Sequence, residues 1–154
     1  MLKLLDNIIN SSVGLPIGNY TSQVFGNFYL TYFDHWLKEA KQVKCYLRYM
    51  DDMVILSNSK EYLHKLFIDI KYYLKTNLNL EVKSNYQIFP VNTRGIDFVG
   101  YRVYHSHVLI RSKIKYNFIK MVKYNKNDKS IVSYNGWLNH ANCINLKNKY
   151  LSYE

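Results

Sequence analysis

The chain has few cysteines, no long apolar run and, toward its C-terminal end, very few acidic residues. Its 154 residues include two cysteines, Cys45 and Cys143, whose separation fits no metal-site spacing. We expect both to be reduced thiols in a cytoplasmic protein. No apolar stretch reaches the roughly 20 residues that a membrane-spanning helix needs, and the N-terminus lacks the features of a signal peptide. The sequence therefore predicts a cytoplasmic protein with no membrane partner.

The shortage of acidic residues is confined to one part of the chain. Overall, 21 Lys and Arg face 11 Asp and Glu, a net charge of +10. Residues 1–97 hold 11 basic and 9 acidic side chains, whereas residues 98–154 hold 10 basic and 2 acidic ones, a balance of +8. Codon bias toward lysine is one explanation, although it does not account for the loss of acidic residues. The asymmetry favours a surface that meets a phosphate backbone.

Two adjacent carboxylates, Asp51 and Asp52, stand between two apolar segments that are typical of β-strands. Neighbouring carboxylates repel each other, and a hard cation with oxygen ligands, such as Mg2+, relieves that repulsion. In two-metal phosphoryl transfer, such ions activate the attacking oxygen and stabilise the leaving one. Asp is also an ordinary turn residue. The residues alone therefore leave two readings open, a metal site and an acidic turn.

Hydrophobic periodicity predicts an α+β fold, with an antiparallel sheet that carries helices on one face. Apolar residues at helical spacing, among them Phe28, Tyr32, Phe33 and Leu37, predict a helix over 21–40. Asn58 is expected to open a second helix that ends near 77, with Leu66, Ile70 and Leu74 in its buried stripe. Strands are expected on either side of the acidic pair, at 44–50 and 52–57. Further extended segments are expected at 86–91, 96–104 and 107–111. Two helices are expected from about 113, separated near 125–129.

Four motifs, in the order that the family shows, resemble the palm and thumb of reverse transcriptases. They are the segment from Gly14 to Gln23, the tetrad Tyr49-Met50-Asp51-Asp52, the segment from Phe89 to Tyr101, and the segment from Ser133 to Ala141. The first motif has Ile17-Gly18 before its variable part and Ser22-Gln23 after it. This form is similar to the enzymes of diversity-generating retroelements, and related bacterial reverse transcriptases can share it, so a phage-defence or other retroelement enzyme stays open. The resemblance implies a bacterial or phage-encoded protein. By this resemblance, residues 1–111 are a partial right-hand polymerase palm and residues 112–154 a helical, thumb-like segment.

The resemblance implies RNA-directed DNA synthesis, in which a primer 3′-hydroxyl attacks a deoxynucleoside triphosphate (dNTP) on an RNA template. The implied cofactor is a pair of Mg2+ ions, with Mn2+ as a substitute. Asp51 would ligate both ions and Asp52 would support it. The implied partners are the RNA template, a DNA primer or RNA–DNA hybrid, the dNTP and an accessory protein of the retroelement. The residues implied to lie against nucleotide and template–primer are Gly18, Ser22, Gln23, Tyr49, Met50 and Lys83.

Further roles are assigned to residues after position 97. Phe98, Gly100 and Tyr101 match the turn that supports the primer end in the family. The basic C-terminal segment makes Arg111, Lys113 and Lys115 candidates for phosphate contacts. Ordinary structural roles compete with each of these: a half-buried strand for the aromatic residues, helix capping for Ser22, core packing for Tyr49, and solvated side chains for the lysines, including Lys83.

One part of the family's metal site is not matched. The family carries a further aspartate on a strand before the first motif, and Asp6, the sole carboxylate among the 13 residues before Gly14, lies in surroundings that do not match. We therefore expect the chain to correspond to the C-terminal part of a reverse transcriptase, without fingers, and to be inactive alone. Two other readings stay open: a non-catalytic remnant that binds nucleic acid, and a group II intron maturase-type enzyme.

Overall fold

The computed structural model describes residues 20–124 and 128–151, together with 3, 6, 7 and 10. Helices and short antiparallel strands make the fold mixed α+β, as predicted. The chain divides into two compact units, the first ending at Ile88 and the second beginning at Phe89. The predicted boundary between palm-like and thumb-like segments, after residue 111, lies inside the second unit and stays a prediction. No helix in the described part is both long and apolar enough to cross a membrane.

The first unit begins with an interrupted helix instead of the single helix predicted over 21–40. Its elements are α1 (Tyr20–Tyr29), α2 (Thr31–His35), a π-helical segment (Trp36–Ala40), β1 (Cys45–Tyr49), β2 (Asp52–Leu56) and α3 (Lys60–Leu78). The helix breaks at Leu30 and ends in the wider π-helical turn. Phe33 and Leu37, after the break, are both fully buried, while Phe28 and Tyr32, at the same predicted helical spacing, are 69% and 73% exposed.

Helix α3 forms the other side of this core. Leu66, Ile70 and Leu74 recur every four residues and pack with the buried residues of the preceding helices, as the sequence predicts. The Ser59 hydroxyl caps the helix by accepting a hydrogen bond of 3.1 Å from the Tyr62 amide. The predicted cap, Asn58, therefore lies one residue too early.

The second unit is built from a small sheet and three longer helices. Its elements are α4 (Val91–Arg94), β3 (Ile96–Phe98), β4 (Tyr101–Val103), β5 (Val108–Ile110), α5 (Ser112–Tyr124), α6 (Asp128–Asn139) and α7 (Ile144–Leu151). The three strands are antiparallel in the order β3-β4-β5. Ile110, Phe118, Leu138 and Cys143 form the buried core.

Several predicted elements differ from the structure. The five described strands form a two-stranded and a three-stranded sheet, not one sheet. The segment 86–91 contains no strand, because Pro90 lacks a backbone N–H and instead precedes α4, where its carbonyl accepts a 2.7 Å hydrogen bond from Thr93. The segment 96–104 is two strands joined by a turn. The last predicted helix is two, α6 and α7, and residues 125–127 of the predicted break lie outside the described residues.

Candidate active site

Asp51 and Asp52 lie at the tip of a two-stranded hairpin, as predicted. Strands β1 and β2 pair with Tyr49 opposite Asp52, so Met50 and Asp51 form a two-residue turn. Both aspartates are exposed. Met50 has a φ of +57°, an uncommon conformation for a residue other than glycine. The hairpin therefore presents two neighbouring carboxylates to solvent on an unusual turn.

Arg48 connects this tip to the preceding helices. Its side chain is 11% exposed, and Nη1 donates hydrogen bonds to the Met50 carbonyl at 3.0 Å and to Asn27 Oδ1 at 2.9 Å. The remaining donors reach Asp34, with Nε 2.9 Å from Oδ1 and Nη2 2.5 Å from Oδ2. The Tyr46 hydroxyl donates to the same carboxylate at 2.6 Å. One guanidinium therefore joins α1, α2 and the hairpin tip.

The Asp34–Arg48 pair is ionised in the folded protein. Burial acts to raise the pKa of Asp34, but hydrogen bonds from Arg48 and Tyr46 outweigh it and hold this pKa below its usual value. The hydrogen bond to Asp34 raises the pKa of Arg48, and burial together with the same carboxylate raises the pKa of Tyr46. This pair was not predicted from the sequence. The only signal for it in the sequence is a single arginine within an apolar strand, because a half-buried charge requires a partner.

Lys83 lies beside the acidic pair. Its Nζ is 2.8 Å from Asp51 Oδ2, although the two residues are 32 positions apart. Val82, the preceding residue, packs against the core of the first unit and so holds the segment in place. The Lys83 ammonium lowers the pKa of Asp51, and Asp51 raises the pKa of Lys83. Both side chains are more than 70% exposed, so water weakens the pair and another cation could replace the ammonium.

Helix α1 carries Gln23, another residue that the sequence predicts to contact nucleotide or template–primer. Gln23 is exposed and lies one helical turn before Asn27, the residue that contacts Arg48. Tyr49 is 59% exposed and pairs with Asp52 across the hairpin. The fold thus places Gln23 one turn from the residue that is tied to the hairpin. Ser22 lies in the first turn of the same helix, whereas Gly18 falls outside the described residues.

The predicted primer-supporting residues form a tight turn in the second unit. Phe98 pairs with Tyr101, and the two residues between them, Val99 and Gly100, have φ values of +44° and +83°, as a type I′ turn requires. A Cβ on Gly100 would lie 2.8 Å from Trp137 Cη2. The Tyr101 hydroxyl donates to the Trp137 carbonyl at 3.2 Å. Close packing against Trp137 explains why position 100 is a glycine. Contact of this turn with a primer stays a prediction.

The candidate phosphate contacts differ in their surroundings. Arg111 is paired, with Nε donating to Asp97 Oδ1 at 2.7 Å. Lys113 and Lys115 are exposed on α5, a helix without any acidic residue. Phe118 buries the opposite face of this helix. The exposed residues that recur along one face of α5 are Lys113, Tyr116, Lys120, Lys123 and Tyr124. We call this set the α5 stripe.

Comparison with known proteins adds no assignment. No protein-family model matches the chain, and no curated protein sequence matches it.

The acidic tip fits a divalent cation in chemistry but offers only part of a coordination shell. Mg2+ prefers carboxylate oxygens and keeps several water or phosphate ligands, and Asp51 and Asp52 supply exposed carboxylates of this kind. Within the residues that the structure describes, no three His, Cys, Asp or Glu side chains form a group able to hold a metal. A complete site would therefore take further ligands from a substrate, from water or from elsewhere in the protein.

Proposed function

We propose that this chain carries the catalytic palm of an RNA-directed DNA polymerase, followed by a thumb-like helical segment that binds nucleic acid. The observation that carries the proposal is the pair of exposed carboxylates on a two-residue hairpin turn, with a lysine ammonium 2.8 Å from the first of them. Such a tip concentrates negative charge where a large substrate can reach it. The four sequence motifs supply the reaction type and the proposed retroelement class, a diversity-generating or related element.

The residues around the hairpin tip have distinct proposed roles. Asp51 and Asp52 would hold Mg2+ or Mn2+, which when bound activates a primer 3′-hydroxyl and stabilises the leaving pyrophosphate. Tyr49, exposed beside Asp52, offers an aromatic surface for a nucleotide or base pair. Lys83 offers a positive charge at the edge of the site, where it would neutralise triphosphate oxygens once a metal replaces it at Asp51.

The α5 stripe supports binding of a template–primer. Lysines neutralise backbone phosphates and release counterions, and tyrosines stack on bases without regard to sequence. Tyr116 and Tyr124 are 66% and 80% exposed, and with Ile119, Lys120 and Lys123 they line a shallow depression. The RNA template and the DNA primer, or their hybrid, are the proposed partners of this surface.

Primer extension tests the catalytic part of the proposal. The chain should be assayed alone and fused to a reverse-transcriptase segment that supplies the fingers and the unmatched aspartate, with an RNA template, a DNA primer, dNTPs and Mg2+. We expect extension only from the fusion. There, Asp51→Asn keeps the shape of the side chain and removes its charge, so the rate should fall at least about 10³-fold, equivalent to about 4 kcal/mol.

Asp69→Asn is the matched control for that substitution. Asp69 is a partly exposed aspartate on α3 in the same unit, and its Oδ2 lies 2.7 Å from Lys41 Nζ. Its replacement should leave extension within about twofold of the parent enzyme, as expected for a surface pair. Extension by the chain alone, or full activity of Asp51→Asn in the fusion, would show that the catalytic carboxylates lie elsewhere.

A non-catalytic nucleic-acid-binding protein is the second candidate, and the α5 stripe favours it independently of the hairpin. Binding of single strands and hybrid duplex should weaken with salt, with a log–log slope of about −0.7 to −0.9 per phosphate neutralised. The double substitution of Lys120→Gln and Lys123→Gln should remove two phosphate contacts and so reduce the magnitude of that slope by about 1.4 to 1.8. Changing Lys60 and Lys65 on α3 to Gln should leave the slope unchanged. Salt-dependent binding without extension by the fusion would favour this second candidate.

A further inference from the structure

The turn that carries the acidic pair has an unsuitable residue at its critical position. Two-residue hairpin turns require positive φ, which Gly, Asn or Asp adopts at low cost. Here Met50 has a φ of +57°. A side chain held in this region stores strain, which persists only where surrounding contacts determine the conformation. Some contact of this hairpin must therefore stabilise the Met50 backbone.

Arg48 makes that contact. We infer that Arg48 is a positioning residue, which fixes the Met50 peptide and thereby the direction in which Asp51 and Asp52 leave the turn. Its Nη1 donates to the Met50 carbonyl at 3.0 Å. The guanidinium cannot drift from this carbonyl, because Nε and Nη2 are held by Asp34 at 2.9 and 2.5 Å.

The geometry needs an arginine. The planar guanidinium presents five donors in a fixed fork, and here three of its nitrogens serve three different groups: Asp34, the Met50 carbonyl and Asn27. A lysine would keep the charge but offer one nitrogen, which cannot reach all of them. Only the consequence of the inference, correct placement of metal-binding carboxylates, rests on the proposed function. The conformation of the turn does not depend on that function.

A simpler role for Arg48 would be to fasten β1 to α2 through Asp34, without any effect on the turn. A double substitution separates the two roles. Arg48→Met removes all of the bonds, and Met50→Gly removes the need for them at the turn, because glycine adopts positive φ freely. If Arg48 acts through the turn, adding Met50→Gly to Arg48→Met restores the turn without restoring the bond to Asp34.

Nuclear magnetic resonance on the full chain provides the readout. We expect Arg48→Met to abolish the cross-strand nuclear Overhauser effect between Tyr49 and Asp52. It should also lower the backbone ¹⁵N heteronuclear nuclear Overhauser effect of residues 50–52. Adding Met50→Gly should recover both signals. Arg111→Met is the matched control, because it also breaks an arginine–aspartate pair but lies in the other unit, and it should leave the hairpin signals unchanged.

If Arg48→Met does not fold, Arg48→Lys decides the question, because it keeps the charge beside Asp34. The inference predicts a disordered turn in that variant and recovery on adding Met50→Gly. An ordered turn in the folded Arg48 variant, or a disordered turn that glycine does not recover, would overturn the inference.

Titration with Mn2+ separates this inference from the proposed function. If the turn positions metal ligands, Mn2+ should broaden the resonance signals of Asp51 and Asp52 in the parent chain. The Arg48→Lys variant should then bind Mn2+ about 10- to 100-fold more weakly. Equal Mn2+ affinity in the two proteins would overturn the positioning of the carboxylates. Absence of broadening in the parent chain would count against the metal role of Asp51, while the order of the turn would still test the role of Arg48.

Discussion

Replacing Asp34 with Asn should destabilise the first unit by about 2 to 4 kcal/mol. Removing one partner of a fully buried ion pair costs about 3–5 kcal/mol, whereas an exposed pair contributes about 0–1 kcal/mol. The Arg48 and Asp34 side chains are 11% and 29% exposed, so this pair lies toward the buried limit. The change also weakens the 2.6 Å hydrogen bond from Tyr46 and leaves the guanidinium without a counter-charge.

Urea denaturation monitored by tryptophan fluorescence measures this effect. Trp36 stacks on Tyr73 at 4.4 Å in the first unit, so a Trp137→Phe background makes the signal specific to that unit. Asp69→Asn, which breaks the more exposed pair with Lys41, should cost less than about 1 kcal/mol. A loss in Asp34→Asn within about 0.5 kcal/mol of the Asp69→Asn loss would refute the assignment of a strong, half-buried pair.

Three further predictions follow from other contacts. Because the pKa of Asp34 is lowered by folding, its contribution to stability should be complete above its unfolded pKa of about 3.9 and lost as pH falls through the lower folded value; unfolding measured from pH 7 to pH 2 should show a larger loss of stability in the parent chain than in Asp34→Asn, which keeps only the loss from other carboxylates such as Asp51. Lys83→Met should tighten Mn2+ binding by a factor of about two to five in a calorimetric titration, since the metal no longer displaces an ammonium, while Lys75→Met, which breaks an exposed pair with Glu81, should not. Gly100→Ala should destabilise the second unit by about 1–3 kcal/mol in thermal unfolding because of positive φ and the neighbouring tryptophan ring, whereas Gly136→Ala, in a helix with open space around its Cα, should be neutral or stabilising. Equal Mn2+ affinities of Lys83→Met and Lys75→Met would contradict the role of the Lys83–Asp51 contact. Equal thermal stabilities of Gly100→Ala and Gly136→Ala would contradict the role of the close approach of Gly100 to Trp137.

Local patterns in the sequence were sufficient for two parts of the structure. The recurrence of Leu66, Ile70 and Leu74 predicted α3 and its buried face, because side chains four residues apart share one side of a helix. The two apolar segments around Asp51 and Asp52 predicted the hairpin and its acidic tip. Both depend on neighbours within a few positions along the chain, so a single sequence contains the whole signal.

The environment of that tip was decided by tertiary structure. Lys83 reaches Asp51 across 32 positions, and Arg48 reaches Asp34 across 14, through the packing of α2, α3 and the hairpin around one core. The break at Leu30 and the separation of the strands into two sheets have the same origin. Periodicity reports which face of an element is apolar, but it does not report which polar residues of distant segments that burial brings together. The acidic pair was therefore readable from the sequence, while the cation beside it and the arginine that holds its turn required the folded chain.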